Sequence, residues 1–155
     1  MNYLISVRRT ILLDTDFPKI VCLCGSTRFW REYQKQMLRL TVKGVIYLSS
    51  GAATGTDDEH FGNLPKTEWD AIKTNLDELH KRKIDLADEI LVLNCPIPYC
   101  NACQEFRLKV LGCSGEHAFD GTMKPYIGDS TRSEIEYALS KGKVVRYLME
   151  DGNGK

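Results

Sequence analysis

The sequence has no net charge, no uninterrupted hydrophobic run of membrane-spanning length, and no internal repeat or low-complexity tract. Lys plus Arg and Asp plus Glu both number 21. No overall field therefore favours a nucleic-acid polymer, an anionic membrane or an acidic partner, and any anion must be caught locally. Near the start, Leu4, Ile5, Ile11, Leu12 and Leu13 are apolar, but Arg8 and Arg9 interrupt them before a signal peptide or span is complete. This predicts a cytoplasmic protein with no membrane association. At 155 residues the chain is too short for two ordinary domains, so a single domain over residues 1–155 is expected. In a reducing compartment the six cysteines point to core packing, reactive thiols or metal rather than to disulfides.

What is present is a rhythm of strands and helices. Residues 19–24 (KIVCLC) form an apolar run of the kind buried on both faces of a parallel sheet. After Gly25-Ser26-Thr27, the residues Phe29, Trp30, Tyr33, Met37 and Leu40 recur at helical spacing, and Gly44 can stop that helix. Residues 45–49 predict a second strand, and residues 50–65 read as a long loop with the acidic run Asp57-Asp58-Glu59. Thr67 and Asp70 have capping-box spacing ahead of a helix whose face is traced by Trp69, Ile72, Leu76, Leu79 and Lys83. Residues 89–94 and 144–149 give two further strands, with a helix over residues 130–140 between them. The alternation predicts an α/β fold: a doubly wound, mainly parallel sheet of about four or five strands in a Rossmann- or flavodoxin-like three-layer sandwich. Residues 1–13 are a candidate edge strand and residues 151–155 a frayed end. Residues 95–125 break the rhythm and read as an insert, with a short helix expected over residues 104–111.

Ligands of such sheets bind at the carboxyl ends of the strands, where strand order reverses. Gly25-Ser26-Thr27-Arg28 offers a flexible turn, two hydroxyls, free helix N–H groups and a guanidinium, an inventory suited to phosphate. A cap role for Ser26 or Thr27 would use the same residues. Gly128, Asp129, Ser130, Thr131, Arg132 and Glu134 bring a similar set to the last helix. Thr131-x-x-Glu134 also fits a capping box, in which the acid only satisfies a backbone donor. Glu136, two residues on, cannot share the face of Glu134. His80 titrates near neutrality, and Asp88 sits at a helix–strand junction.

Three segments, CGSTRF at 24–29, LHKRKIDLADEILVLN at 79–94 and YIGDSTRSEIEYA at 126–138, resemble the nucleoside 2-deoxyribosyltransferase-like superfamily. That superfamily includes the 2′-deoxynucleoside 5′-phosphate N-hydrolases. The match covers most of the chain outside the first 18 residues and the insert, and is nearest to an uncharacterised bacterial and phage branch. The resemblance implies a glutamate nucleophile at Glu134 that attacks C1′ of deoxyribose, with no cofactor in the chemical step. It also implies a phosphate-handling loop at Gly25–Arg28, a small nucleotide or nucleoside as substrate, and a homodimer or higher homo-oligomer. Ser130, Thr131 and Arg132 would add phosphate donors, while Asp88, Asp129 and His80 are candidates for sugar orientation or proton transfer. Three positions depart from the family pattern: its first-strand tyrosine falls at Cys22, a catalytic aspartate at His80, and the glycine two residues after the nucleophile at Glu136. The competing readings are a nucleotide-binding or sensing module without turnover, and a protein that grips a partner through the insert.

Cys100-x2-Cys103-x9-Cys113-x3-His117 supplies three thiols and an imidazole, a set suited to a structural zinc within the insert, with Cys95 as a possible substitute ligand.

Overall fold

The structure, a computed structural model, describes residues 17–51, 55–108 and 117–150. The edge strand expected within residues 1–13, the chain end after 150 and Cys113 lie outside the described residues. The main sheet holds four parallel strands, β1 (Ile20–Cys24), β2 (Ile46–Leu48), β3 (Glu89–Val92) and β7 (Val144–Tyr147), in the order β2-β1-β3-β7. The chain moves outward from β1 to β2, then crosses back over β1 to β3. Strand order therefore reverses between β1 and β3, which opens the ligand crevice at their carboxyl ends.

Alternation along β1 divides its side chains between two cores. Cys22 and Cys24 face one layer with Ile90 and Val92, under helices α3 (Lys66–Leu86) and α4 (Asp129–Ser140). Val21 and Leu23 face the opposite layer with Tyr33 of α1 (Trp30–Val42). The doubly wound, three-layer α/β expectation is met.

Local expectations fared unevenly. The segment read as a loop contains a short helix, α2 (Asp57–Phe61), whose N-terminus carries a capping box: Glu59 N–H donates to Thr56 Oγ1 (3.2 Å) and Thr56 N–H to Glu59 Oε2 (2.7 Å). By contrast α3 begins at Lys66 after Pro65, so Thr67 lies inside the helix and caps nothing. The buried face of α3 is set by His80 and Ile84, while Leu79 is 52% exposed, because one residue turns a helix by roughly 100°.

The insert forms a second, antiparallel sheet in the order β5-β4-β6, from β4 (Pro96–Cys100), β5 (Glu105–Phe106) and β6 (Met123–Pro125). The helix expected at 104–111 is thus a strand in its described part: Phe106 pairs with Tyr99 across a hairpin that outcompetes helical propensity. Tyr126 N–H donates to Cys95 C=O (3.1 Å), closing the insert where it leaves and rejoins the main sheet. Among the described residues no helix is long and apolar enough to cross a membrane.

Candidate functional site

The first loop is shaped by close approach. A Cβ on Gly25 would lie 3.0 Å from Leu93 Cβ and 3.2 Å from Leu93 O, so this turn admits only glycine without displacement of the neighbouring strand end. Tyr33 Oη donates to Gly25 C=O at 2.8 Å and fixes the turn from below. Ser26 precedes a 3-10 turn (Thr27–Phe29), yet its hydroxyl makes no cap hydrogen bond. Instead Ser26 Oγ accepts from Arg28 Nε at 2.9 Å, and Thr27 Oγ1 accepts from Asp57 N–H at 3.3 Å. The Arg28 guanidinium lies over the Tyr126 ring, 4.8 Å from its centroid, while the residue as a whole stays exposed to solvent. Ser26, Thr27 and Arg28 line a cavity of about 750 Å³ whose other wall comes from the insert through Ile97, Pro98 and Arg107. A neighbouring cavity of about 270 Å³ shares Thr27 and Asp57 and is lined by Tyr33, Ser50 and Leu76.

Behind this loop lies a buried polar cluster. Cys22 and Cys24 point from β1 toward His80 on α3, with sulfur-to-Nε2 distances of 3.8 and 3.4 Å. Glu134 on α4 closes the group, its Oε1 3.7 Å from His80 Nε2. Glu134 Oε2 and His80 Nδ1 are buried without a hydrogen-bond partner. Helix α4 starts at Asp129 with Gly128 as its N-cap, which places Thr131 inside the first turn. The capping-box role open to Glu134 is therefore not adopted: the carboxylate faces β1 beside Cys24, not its own helix start.

The electrostatics follow from this burial. Desolvation pushes the Glu134 carboxyl up to about 7; His80 opposes the shift, while charge on Cys22 and Asp77 adds to it. Burial works against a charged His80, but the hydrogen bond to Cys22 and the Glu134 carboxylate outweigh it, so its pKa is raised. The hydrogen bond with Cys24 brings the Cys22 thiol down to about 6, against burial and with help from His80; Cys24 is raised well above the ordinary thiol range by Cys22 and by burial. A carboxyl that titrates near neutrality beside an imidazole can exchange protons and can act as a nucleophile once ionised.

Of the residues singled out in the sequence, Ser26, Thr27 and Arg28 share one cavity rim, with Gly25 forming the turn before them, and His80 and Glu134 meet. Ser130 stands one turn before Glu134 on the same side of α4, and Thr131 is buried there. Ser130 Oγ accepts from Lys73 Nζ at 2.8 Å. A Cβ on Gly128 would stand 3.1 Å from the Tyr126 hydroxyl, a tight contact that the tyrosine would have to relieve by a small shift.

Three assignments are corrected. Asp88 lies at the opposite, amino end of the sheet, where its Oδ2 accepts from Ile20 N–H at 2.8 Å and its own N–H donates to Ile20 C=O. That makes it a strand-entry clamp. Asp129 is exposed at the first position of α4, roughly 140° around the helix from Glu134, where its charge complements the helix dipole instead. Arg132 is two residues before Glu134 and lines a different cavity, of about 400 Å³, with Glu136 and Tyr147. Glu136 is exposed, as its spacing from Glu134 predicts.

Sequence reasoning missed Asp77, Lys73 and Tyr33. Lys73, Asp77 and His80 recur at four- and three-residue intervals on α3, a signal of one shared face that was available. Tyr33 carries only the signal of apolar core, which it also is: it is 1% exposed, and burial raises its hydroxyl well above the ordinary range.

Among the described residues, two Cys/His groups have the geometry to hold a metal: Cys22, Cys24 and His80, all buried, and Cys100, Cys103 and His117 in the insert. No family model matches the chain, and no curated protein matches it.

Proposed function

We propose that the protein is a nucleoside 2-deoxyribosyltransferase-like enzyme that cleaves the N-glycosidic bond of a 2′-deoxynucleoside 5′-monophosphate, passing the sugar to water or to another base. The observation that carries this reading is Glu134: a buried carboxyl beside the switch-point loop, raised to about 7, with one oxygen near His80 and the other unpartnered. Arg28 and Ser26 hold the phosphate, and the sugar lies toward Tyr33 and Ser50.

The ionised Glu134 oxygen attacks C1′ as the bond from C1′ to the base nitrogen breaks. The bonding pair leaves with the base, which takes a proton from solvent water, and a glycosyl ester remains on Glu134. Water then attacks C1′, gives up a proton and frees the carboxylate; a second base in its place gives transfer. His80 lines neither cavity, so we assign it as a positioning residue that favours the ionised form of Glu134, rather than as the acid to the leaving base. The step consumes only substrate and acceptor and uses no cofactor. A homodimer accords with the exposed Val144 and Tyr147 of the edge strand β7 and Leu139 of α4.

One observation favours a nucleotide-binding module without turnover: Glu134 also lines neither cavity, and its side chain is only 11% exposed. Incubation with a panel of deoxynucleoside and ribonucleoside monophosphates, scored for free base by chromatography, separates the two. An enzyme releases base from at least one deoxynucleotide; a binding module retains affinity and releases none.

A further inference from the structure

One residue ties a cluster of potential metal ligands in the insert to the cavity lined by Ser26 and Arg28. One ligand atom each from Cys100, Cys103 and His117 lies within 4.8 Å of the other two, and Cys103 Sγ is 3.2 Å from His117 Nδ1. The edge between a sulfur and a nitrogen of a tetrahedral zinc site spans roughly 3.6 Å for ordinary bond lengths, so small movements suffice to receive the ion. The geometry is built locally. Cys100 ends β4, and the turn that follows brings Cys103 back beside it, leaving Gln104 with φ 57° in the left-handed region. Asn101 Nδ2 donates to Asp120 Oδ2 (2.9 Å) and Thr122 Oγ1 (2.8 Å), which ties this knuckle to the segment bearing His117. Cys100 is buried, but Cys103 is half-buried and His117 exposed, which gives an ion a way in. Two thiolates and an imidazole suit a soft, redox-inert divalent ion.

His117 connects this cluster to the cavity. Its backbone carbonyl accepts from Arg107 Nη2, and Arg107 N–H donates to Pro98 C=O at 2.9 Å. The Arg107 guanidinium lies over Phe119, 5.4 Å from the ring centroid, with Nε buried and unpartnered. Arg107 lines the same cavity of about 750 Å³ as Ser26 and Arg28.

We propose that Cys100, Cys103 and His117 bind zinc and that the metal, through His117, holds Arg107 in place as a second anion-binding group facing Arg28. This rests on the reading of that cavity as the phosphate site. The metal acts on binding and takes no part in the chemical step.

The test uses the full chain, purified reduced and loaded with zinc. Metal content and the thiolate-to-metal absorption of the cobalt-substituted protein are measured alongside affinity for inorganic phosphate. One ion per chain is expected, lost in Cys103→Ser and in His117→Gln, and retained in Cys22→Ser. Chelation of folded wild type should weaken phosphate binding roughly tenfold, as should Arg107→Ala, and zinc should restore it in wild type but not in His117→Gln. Thermal unfolding of each variant identifies any that has merely failed to fold. Loss of the ion in Cys22→Ser with retention in Cys103→Ser would overturn the site. Unchanged phosphate affinity on chelation would overturn the link to Arg107, as would wild type that binds no phosphate. The metal count stands apart from catalysis, so inactivity toward every nucleotide would sink the proposed function and leave the zinc result intact.

Discussion

Glu134 Oε1 stands 3.7 Å from His80 Nε2, and the carboxyl lies beside the Cys24 thiol with Oε2 buried and without a hydrogen-bond partner. A side chain committed to structure would have both oxygens satisfied, since an unpartnered buried acceptor costs about 1–3 kcal/mol. The burial of this pair therefore works against the stability of the fold.

The first consequence is a pH dependence of stability. The Glu134 pKa rises from 4.5 in the unfolded chain to about 7 on folding. The folded state thus binds more protons between those values, and the stability this group contributes is complete below pH 4.5 and lost as pH rises through 7. The loss is about 3 kcal/mol. Glu134→Gln removes that slope, so in urea titrations its stability relative to wild type should climb between pH 5 and 7. A constant difference across that range would count against the burial argument.

His80→Gln should move the activity profile. The His80 charge holds the Glu134 pKa down against burial, so its removal drives that pKa higher. The ascending limb of kcat/KM against pH should shift to higher pH, with the plateau largely retained, because His80 acts through Glu134. Collapse of the plateau with no shift would instead make His80 a proton donor to the substrate.

Arg28→Ala should act on binding. Loss of a charge-assisted hydrogen bond to phosphate costs about 1.5–3 kcal/mol, or roughly 10- to 150-fold in KM for a nucleotide. A nucleoside without phosphate should be handled equally by both proteins. An equal loss for nucleoside and nucleotide would show that Arg28 shapes the loop rather than the phosphate site.

Gly25→Ala tests how the loop is built. The new Cβ would sit 3.0 Å from Leu93 Cβ and 3.2 Å from a backbone oxygen, neither at the end of a flexible side chain. Destabilisation of about 1–3 kcal/mol is expected from chemical denaturation. A neutral substitution would mean that the ends of β1 and β3 can separate freely.

The sequence made the sheet legible because its four strands are apolar runs separated by helical periodicity, and strands buried on both faces leave that trace. Glu134, His80 and the Gly25–Arg28 loop stand out in the sequence through local chemistry and resemblance, and the structure brings His80 and Glu134 together. Cys22 and Cys24 as partners of His80 were not: alternate strand residues share a face, but nothing local says that α3 supplies the imidazole there. The capping boxes show the same limit. Thr56 and Glu59 form one, while Thr67–Asp70 and Thr131–Glu134 do not, because Pro65 and Gly128 fix earlier helix starts. Asp88 was misplaced for a topological reason: it enters β3, and the crevice opens at the other end of that strand. The insert's strands were hidden because their pairing, Tyr99 with Phe106 and Ile97 with Lys124, joins short segments of mixed composition.

Glu134 as nucleophile is tested most directly by the intact mass of the protein quenched during turnover of a deoxynucleoside monophosphate, followed by peptide mapping. A 2-deoxyribosyl 5-phosphate ester is expected on Glu134 in wild type, and neither adduct nor base release in Glu134→Gln, which should still bind the nucleotide. Base release by Glu134→Gln at the wild-type rate, or an adduct on any other residue, would contradict it.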